Sequence, residues 1–268
     1  EKNGPPPEVN LFNEKNNGET LLKLIDNNLI KSAHDVSLGG IITAVAKMCI
    51  KGKKGINIKC YDPEAMTNAV ARIIEAYGRL DMVVANAGFG VAGSLLKLTN
   101  DDYQRQLETN VYGVMNTLRA AHPELQKSQG RAAIVGSVNS FVSLPGNSAY
   151  AMSKFAVRAL AQSLWAEWRS DGISTTLICP GFVASEIRQV NNQGVYREHA
   201  KDPVPAWLVM SAEKAASQIS RALYRRKREV IITNHGKLIV WISRHLAGLT
   251  HLVLSRVYGF HSFLESKK

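Results

Sequence analysis

The chain has 268 residues, 45% of them hydrophobic, which permits one large domain, or one domain with an appendage, around a sizeable core. Its net charge of +11 is uneven, at +3 over residues 1–60, zero over residues 61–220 and +8 over residues 221–268. The neutral central portion argues against a nucleic-acid groove through it, because such grooves are strongly basic.

The cysteines and the N-terminal composition indicate a reducing compartment. Cys49, Cys60 and Cys179 have a spacing that suits neither a metal cluster nor a disulfide framework. Residues 1–19 are polar, include three consecutive prolines and show no signal-peptide pattern. We therefore expect reduced thiols, no metal site and a cytoplasmic location.

Residues 1–60 form a predicted segment of their own. Every basic residue before Cys60 is a lysine, whereas arginine outnumbers lysine after it. The pattern predicts an α-β-α-β fragment, with helices at 19–29 and 41–49 and strands at 30–36 and 56–59. Lys31-Ser-Ala-His-Asp-Val-Ser-Leu-Gly-Gly40 resembles part of phosphoribosylformylglycinamidine synthase, a purine-pathway enzyme, and the likeness extends over residues 1–59. We assign no purine-synthesis activity, because we find no ATP-binding machinery.

From residue 62 strands alternate with helices, which predicts an α/β domain with a parallel doubly wound sheet of the Rossmann type, residues 61–235. Asn100 or Asp101 is predicted to cap the longest helix, and Ser211 to cap a later one. In chain order we predict helix 63–77, strand 82–85, helix 101–125, strand 131–137, helix 147–170, strand 173–179, helix 211–224 and strand 230–233.

Residues 236–268 form a basic, amphipathic tail. Apolar residues recur at helical spacing from Leu238 to Val257, but Arg244 and Arg256 interrupt the run, which makes a membrane span a poor interpretation. Two interpretations stay open. The tail lies in a membrane interface, where Trp241 and nearby basic residues are favoured, or it packs on the substrate pocket or on a second subunit.

Tyr150 and Lys154 lie four residues apart in a predicted helix, so they share one face. A free tyrosine has a pKa of about 10, which makes it a poor acid or base at neutral pH. A lysine ammonium one turn away favours the phenolate and lowers the pKa of the tyrosine. Ser137, at the end of a predicted strand, could hold a carbonyl or hydroxyl oxygen against Tyr150. These side chains predict a site that moves a proton to or from an oxygen while a hydride is transferred.

Further motifs accompany Tyr150 and Lys154 in a fixed order. They are Asn86-Ala-Gly-Phe-Gly90, Asn110 within Glu-Thr-Asn-Val-Tyr-Gly, Ser137 placed 13 residues before the tyrosine, and Cys179-Pro-Gly-Phe-Val-Ala-Ser185. In this order and spacing the set resembles the short-chain dehydrogenase/reductase family over residues 62–233. The family usually has threonine where Ser185 stands, and serine keeps the hydroxyl.

The resemblance implies an oxidoreductase that uses NADP or NAD to interconvert a ketone or aldehyde and an alcohol. It implies a catalytic tetrad: Tyr150 as general acid/base, Lys154 bonding the nicotinamide ribose, Ser137 orienting the substrate oxygen and Asn110 holding a relay water. It also implies a substrate lid within residues 183–209 and a homo-oligomer. An interfacial tail would suit a lipid-like substrate. The cofactor-binding residues implied by the resemblance are Asn86, Ala87, Gly88, Tyr150, Lys154, Pro180, Gly181, Val183 and Ser185.

The glycine-rich cofactor turn of that family, Thr-Gly-x-x-x-Gly-x-Gly, does not occur in this sequence. Ser37-Leu-Gly39-Gly40 is the nearest substitute, and Lys59 stands where the family usually has an adenine-contacting aspartate, so the choice between NAD and NADP stays open. Three interpretations of residues 1–60 remain: a functional replacement for the turn, an inactive hybrid, and an artefact of gene assembly. The alternative function is a non-catalytic remnant that acts as a binding or membrane-associated scaffold.

Overall fold

The computed structural model describes residues 62–192, 197, 202 and 204–265. The predictions for residues 1–60, including Ser37–Gly40 and Lys59, lie outside the described residues. The division of the chain into three parts, at residues 60 and 235, also stays a prediction.

Parallel strands alternate with helices along the described chain. The strands are β1 (Met82–Ala85), β2 (Arg131–Val135), β3 (Ser174–Cys179) and β4 (Glu229–Ile231). The helices are α1 (Pro63–Tyr77), α2 (Asn100–Leu107), α3 (Gly113–Ser128), α4 (Ser148–Glu167), α5 (Ala212–Tyr224), α6 (Asn234–His245) and α7 (Ala247–Glu265). A π-helical turn, Glu108–Tyr112, joins α2 to α3, and short 3-10 turns lie at Val138–Ser140, Glu186–Gln189 and Ala206–Leu208.

The described strands form one sheet in the order β1-β2-β3-β4, with every neighbouring pair parallel. Both faces of β2 and β3 are covered, whereas Met82 and Val84 on β1 are exposed by 40% and 44%. Ile134 and Leu177 pack on one face against α3 and α4, while Ala133 and Ile178 pack on the other face against α5. Strands buried on both faces are expected to be apolar throughout, as β2 is from its second residue onward. The Rossmann-type α/β fold is confirmed.

The ends of α1 follow from local chemistry. The Asp62 side chain accepts a hydrogen bond from the backbone N–H of Glu64 at 2.9 Å, and Pro63 occupies the first turn, where its missing N–H costs nothing. The helix ends at Gly78, whose φ of 73° is left-handed. The predicted helix 63–77 is confirmed at both ends.

The cap predicted for the longest helix was wrong. Thr99 caps α2, not Asn100 or Asp101. The Thr99 hydroxyl accepts from the backbone N–H of Asp102 at 3.3 Å, and the Asp102 carboxylate accepts from the backbone N–H of Thr99 at 3.0 Å. This reciprocal pair satisfies two N–H groups at once, which a single cap at Asn100 or Asp101 would not do.

Other predicted elements also differ from the structure, and the strand predicted at 230–233 runs from Glu229 to Ile231. The single helix predicted at 101–125 is broken by the π-helical turn Glu108–Tyr112. The strand predicted to reach Ser137 ends at Val135, because Ser137 instead caps the 3-10 turn that follows and accepts from the backbone N–H of Asn139 at 3.1 Å.

The C-terminal residues form two helices rather than one. On α6, Val240 is buried against Val138 and Val142, and Arg244 pairs with Glu229 at 2.8 Å. No single described helix is long and apolar enough to cross a membrane. Asn234–His245 and Ala247–Arg256 reach that length and composition only together, and they are bent by 114°.

The capping pair gives a first prediction. Replacing Thr99 with alanine should lower the free energy of unfolding by about 1 kcal/mol, since the hydroxyl acceptor is lost. Replacing Asn100 with alanine should change it by less than about 0.5 kcal/mol. Urea denaturation of both variants measures the difference, and an equal loss in the two would contradict the assignment of the cap to Thr99.

Candidate active site

Three parallel strands end at the same edge of the sheet, and each is followed by a segment that carries predicted site residues. Asn86–Gly90 follows β1, Ser137 follows β2, and Pro180–Ser185 follows β3. The carboxyl edge of such a sheet is the usual place for a ligand. The topology thus brings together residues that are far apart in the sequence.

Two buried amide side chains, Gln106 and Asn110, hold the segment that leaves β1. The Asn110 Oδ1 accepts from the backbone N–H of Phe89 at 3.1 Å, and its Nδ2 donates to the Phe89 carbonyl at 3.0 Å. The Gln106 Nε2 donates to the same carbonyl at 2.8 Å, and its Oε1 accepts from the backbone N–H of Val91 at 2.7 Å. We call this arrangement the amide clamp. Both side chains are fully buried, so the clamp fixes the backbone from Phe89 to Val91.

Asn110 also connects the clamp to α4. Its Nδ2 donates to the Ser153 hydroxyl at 3.0 Å, and that hydroxyl donates to the Tyr150 carbonyl at 2.7 Å. Gly88 lies in the resulting corner, because a Cβ placed there would be 3.1 Å from Asn110 Oδ1 and 3.6 Å from Lys154 Nζ. The clamp therefore sets the position of Gly88 relative to Lys154.

Lys154 is buried, with 5% of its surface exposed. Its Nζ donates to the Val135 carbonyl at 2.9 Å, at the end of β2, and lies 5.6 Å from the centre of the Tyr150 ring. Burial lowers the pKa of Lys154 to about 8, since an ammonium loses its hydration there. The lysine is thus still mainly charged at neutral pH.

Tyr150 is half-buried and lies beside Gly90, where an added Cβ would be 3.7 Å from its ring. Burial raises the pKa of Tyr150, and its hydrogen bond with the Ser137 side chain offsets part of that rise. We expected Lys154 to lower the pKa of this tyrosine. In this structure burial has the larger effect and the pKa moves up, so the phenol keeps its proton at neutral pH.

The segment after β3 packs beside Ser137 and against the start of α6. The Pro180 carbonyl accepts from the backbone N–H of Val138 at 2.9 Å. Gly181 has no room for a side chain, because a Cβ there would overlap Thr233 Oγ1 and lie 2.5 Å from His235 Nε2.

His235 holds the next residue of this segment. Its Nε2 accepts from the backbone N–H of Phe182 at 3.1 Å, and the two rings stack with centroids 5.2 Å apart. His235 is therefore a positioning residue for the segment after β3.

The remaining predicted site residues are exposed or make local contacts. Val183 pairs with Met210 in an isolated parallel bridge. The exposed Ser185 caps its own turn, accepting from the backbone N–H of Ile187 at 3.2 Å. Asn86 and Ala87 are exposed next to Gly88. The structure thus links Asn110, Ser137, Tyr150 and Lys154 through a chain of contacts, with Gly88 beside Asn110 and Lys154. It directs the Ser185 hydroxyl into a local turn instead.

The predicted lid region is tied to the segment after β1. The Asn192 side chain bonds both backbone groups of Ala92, accepting from the N–H at 3.0 Å and donating to the carbonyl at 2.7 Å. Arg105 donates to the Asn192 carbonyl. The two segments therefore border the same edge of the sheet.

Sequence reasoning missed Gln106, Ser153 and His235. Gln106 precedes Asn110 by one helical turn, and that spacing is a signal that could have found it. Ser153 is adjacent to Lys154 but carries no pattern of its own. His235 gives no local signal, because its partner Phe182 is distant in the sequence.

Within the described ranges, no group of three or more histidine, cysteine, aspartate or glutamate side chains could hold a metal ion. A nicotinamide cofactor fits the described residues better. Gly88 brings bare backbone close to the Lys154 ammonium, and Gly90 brings it close to the Tyr150 ring. A ribose and a nicotinamide ring would need such close backbone approach and a donor. The residues predicted for the pyrophosphate and adenine lie outside the described residues.

This chain is similar in sequence to known dehydrogenases and oxidoreductases. A family model described as short chain dehydrogenase matches residues 39–195, beginning inside the N-terminal segment that we divided from the core. Oxidoreductase UcpA of Escherichia coli is 36% identical over 130 residues, which are 48% of this chain and 49% of that protein. Dehydrogenase/reductase SDR family member 7B of Bos taurus is 28% identical over 183 residues, 65% of this chain and 54% of that protein. The chain thus spans about half the length of these relatives.

The N-terminal segment has a different relative. Phosphoribosylformylglycinamidine synthase subunit PurL of Pelagibacter ubique is 81% identical over 59 residues, which are 22% of this chain and 8% of that protein. Both predicted resemblances are confirmed. Among solved structures, a short-chain dehydrogenase/reductase from Burkholderia phymatum in complex with NAD has a TM-score of 0.63 at 20% identity and covers 80% of this chain and 84% of its own.

The amide clamp gives a second prediction. Replacing Gln106 with leucine should lower the free energy of unfolding by about 1–3 kcal/mol, because the N–H of Val91 loses its buried acceptor. Gln104 lies on the same helix and is exposed, so its replacement with leucine should cost less than about 0.5 kcal/mol. Urea denaturation compares the two, and similar stabilities would contradict the clamp.

Proposed function

Because the chain belongs to the short-chain dehydrogenase family, we propose that it is an NAD(P)-dependent oxidoreductase that interconverts a ketone or aldehyde and an alcohol. The observation that carries the proposal is the network of contacts that joins Asn110, Ser137, Tyr150 and Lys154 at the carboxyl edge of the sheet, with Gly88 beside Asn110 and Lys154. The proton donor Tyr150 and the cation Lys154 are then neighbours, and the bare backbone of Gly88 lies close to that cation.

The cofactor is NADP or NAD. Asn86, Ala87 and Gly88 would hold it from one side, Tyr150 and Lys154 at the ribose, and the segment after β3 (Pro180, Gly181, Val183 and Ser185) would cover it. When bound, it supplies or accepts the hydride. His235 joins this set as the residue that holds the covering segment at Phe182.

Tyr150 moves the proton. Because burial raises its pKa, the phenol is protonated at neutral pH and donates to the carbonyl oxygen during reduction. Ser137, already hydrogen-bonded to Tyr150, offers its hydroxyl to the same substrate oxygen. The substrate oxygen is then held between two O–H groups.

Lys154 and Asn110 support that transfer. The Lys154 ammonium stabilises the phenolate that Tyr150 becomes after donating its proton. The Val135 carbonyl holds the ammonium in place at 2.9 Å. We assign Asn110 the family role of holding a relay water, in addition to its place in the amide clamp.

The substrate we propose is an apolar, lipid-like carbonyl compound. The loops that carry the site expose Leu144 and Phe182, by 46% and 37% of their surface, and apolar walls of this kind favour apolar ligands. On the outer face of α4, Met152 and Phe155 are exposed by 51% and 41%, which supports a homo-oligomer. The basic amphipathic tail supports contact with a membrane.

A titration of the purified chain with NADPH and with NADH, followed by cofactor fluorescence, tests the proposal first. Saturable binding of either supports a functional cofactor site and leads to a screen of carbonyl substrates. A folded chain that binds neither would favour the alternative, a non-catalytic scaffold.

A third prediction concerns Tyr150. Replacing it with phenylalanine should lower kcat for carbonyl reduction by between about a hundredfold and ten-thousandfold, because the proton donor is lost. Tyr224 is 79% exposed on α5, and its replacement with phenylalanine serves as the control with unchanged turnover. Unchanged turnover in the Tyr150 variant would rule out the mechanism.

A fourth prediction concerns pH. The value of kcat/KM for NADPH in carbonyl reduction should fall as the pH rises through about 8, because Lys154 loses its charge there while Tyr150, with its raised pKa, keeps its proton to higher pH. The Lys154→Arg variant keeps its charge across this range. If active, it should lose the fall near pH 8. A flat profile for the parent chain would contradict the role of the lysine charge.

A further inference from the structure

A basic cleft lies between α5, β4 and the first turn of α6. It has a volume of about 600 Å³, and its lining includes four cationic side chains and one carboxylate: Arg221, Arg225, Lys227, Lys237 and Glu229. Arg244 already pairs with the carboxylate of Glu229 at 2.8 Å, so that carboxylate does not offset the four cations. The cleft therefore attracts anions.

The cations of the cleft are available to an external partner. Arg221, Arg225 and Lys227 are exposed, and they form no ion pair with any residue of the described ranges. The neighbouring Arg226 differs, because it donates to the carbonyls of Gly172 and Gln129. The cleft is thus not an internal salt-bridge network.

The cleft continues into an apolar face through Lys237. On α6, Lys237 lines the cleft, while Leu238 and Trp241 are exposed by 59% and 54%. Positions 237, 238 and 241 lie on one side of a helix at 3.6 residues per turn. The buried residues Gly236 and Val240 lie on the other side. One face of α6 therefore joins a basic cleft to exposed apolar side chains.

The next helix, α7, also exposes apolar side chains on one face. Leu249, Leu252 and Val253 are spaced as one helical face, and each exposes between 47% and 51% of its surface. Leu254, on the opposite side of α7, packs against Val138, Val142 and Val240. The outward face of α7 is thus apolar, although Leu254 on its inner face already packs against other apolar residues.

We propose that the basic cleft and the outward faces of α6 and α7 bind the surface of an anionic phospholipid bilayer. The cations would contact lipid phosphates and carboxylates, and Trp241 would enter the headgroup region, where indole rings are favoured. A second copy of this chain fits less well. A symmetric interface would bring the same cations of two copies together, and like charges repel. The proposal does not depend on the reaction, because binding is measured without cofactor or substrate.

Vesicle flotation of the purified full chain tests the proposal. The chain should float with phosphatidylcholine vesicles that contain about 30 mol% phosphatidylserine and not with pure phosphatidylcholine, and about 0.5 M NaCl should release it. The R225Q/K227Q/K237Q variant should bind about a hundredfold more weakly, at about fivefold for each lost cation. Its control, R72Q/K97Q/R119Q, loses the same charge from other exposed positions and should bind like the parent.

The apolar face is tested separately. L238S/W241S should lose most of its binding to the anionic vesicles, whereas L96S/W207S, which replaces a leucine and a tryptophan exposed by 97% and 82%, should not. Equal binding to neutral and anionic vesicles, or parental binding by the R225Q/K227Q/K237Q variant, would overturn the proposal. So would a dimer in sedimentation equilibrium that L238S/W241S dissolves while the parent chain ignores vesicles, since a second copy would then cover this face.

Discussion

The site depends on how the backbone leaving β1 satisfies its polar groups. Phe89 and Val91 lie beyond the end of β1, where the pairing with β2 stops. A buried N–H or carbonyl without a partner costs about 1–3 kcal/mol. Gln106 and Asn110 supply the partners from fully buried positions. Asn110 lies in the π-helical turn between α2 and α3, and such turns often occur at functional positions. The same bonds place Gly88 beside Lys154.

Burial has opposite consequences for the two titratable groups of the site. It raises the pKa of Tyr150 and lowers that of Lys154 to about 8, because each group is neutral in the form that burial favours. The phenol is thereby kept as an acid. The ammonium donates to the Val135 carbonyl, and a pKa of about 8 leaves it mainly charged at neutral pH. The resting arrangement thus favours proton donation to a carbonyl, which is the reductive direction of the proposed reaction.

Much of the fold could be predicted because its signals are local. The apolar runs of β2 and β3 and the cap at Ser211 are determined by residues close together in the sequence. The order and spacing of the motifs predicted that Tyr150 would lie near Ser137 and Lys154. The Thr99 cap was missed because it depends on a carboxylate that reaches back three residues. The direction of the Tyr150 pKa shift was missed because spacing reveals neighbours but not burial. His235 was missed because its contact with Phe182 exists only in the folded chain.

One helix joins the candidate active site to the proposed membrane surface. At its start, α6 holds the segment after β3 through the bond from Phe182 to His235, and farther along Val240 is 1% exposed against the core. Its outer face presents Lys237 and Trp241. Because the inner contacts are complete, the outer face can bind lipid without unpacking the helix. If the proposed substrate is an apolar carbonyl compound dissolved in the bilayer, it would reach the carboxyl edge of the sheet beside the segment after β3, where Phe182 bonds to His235.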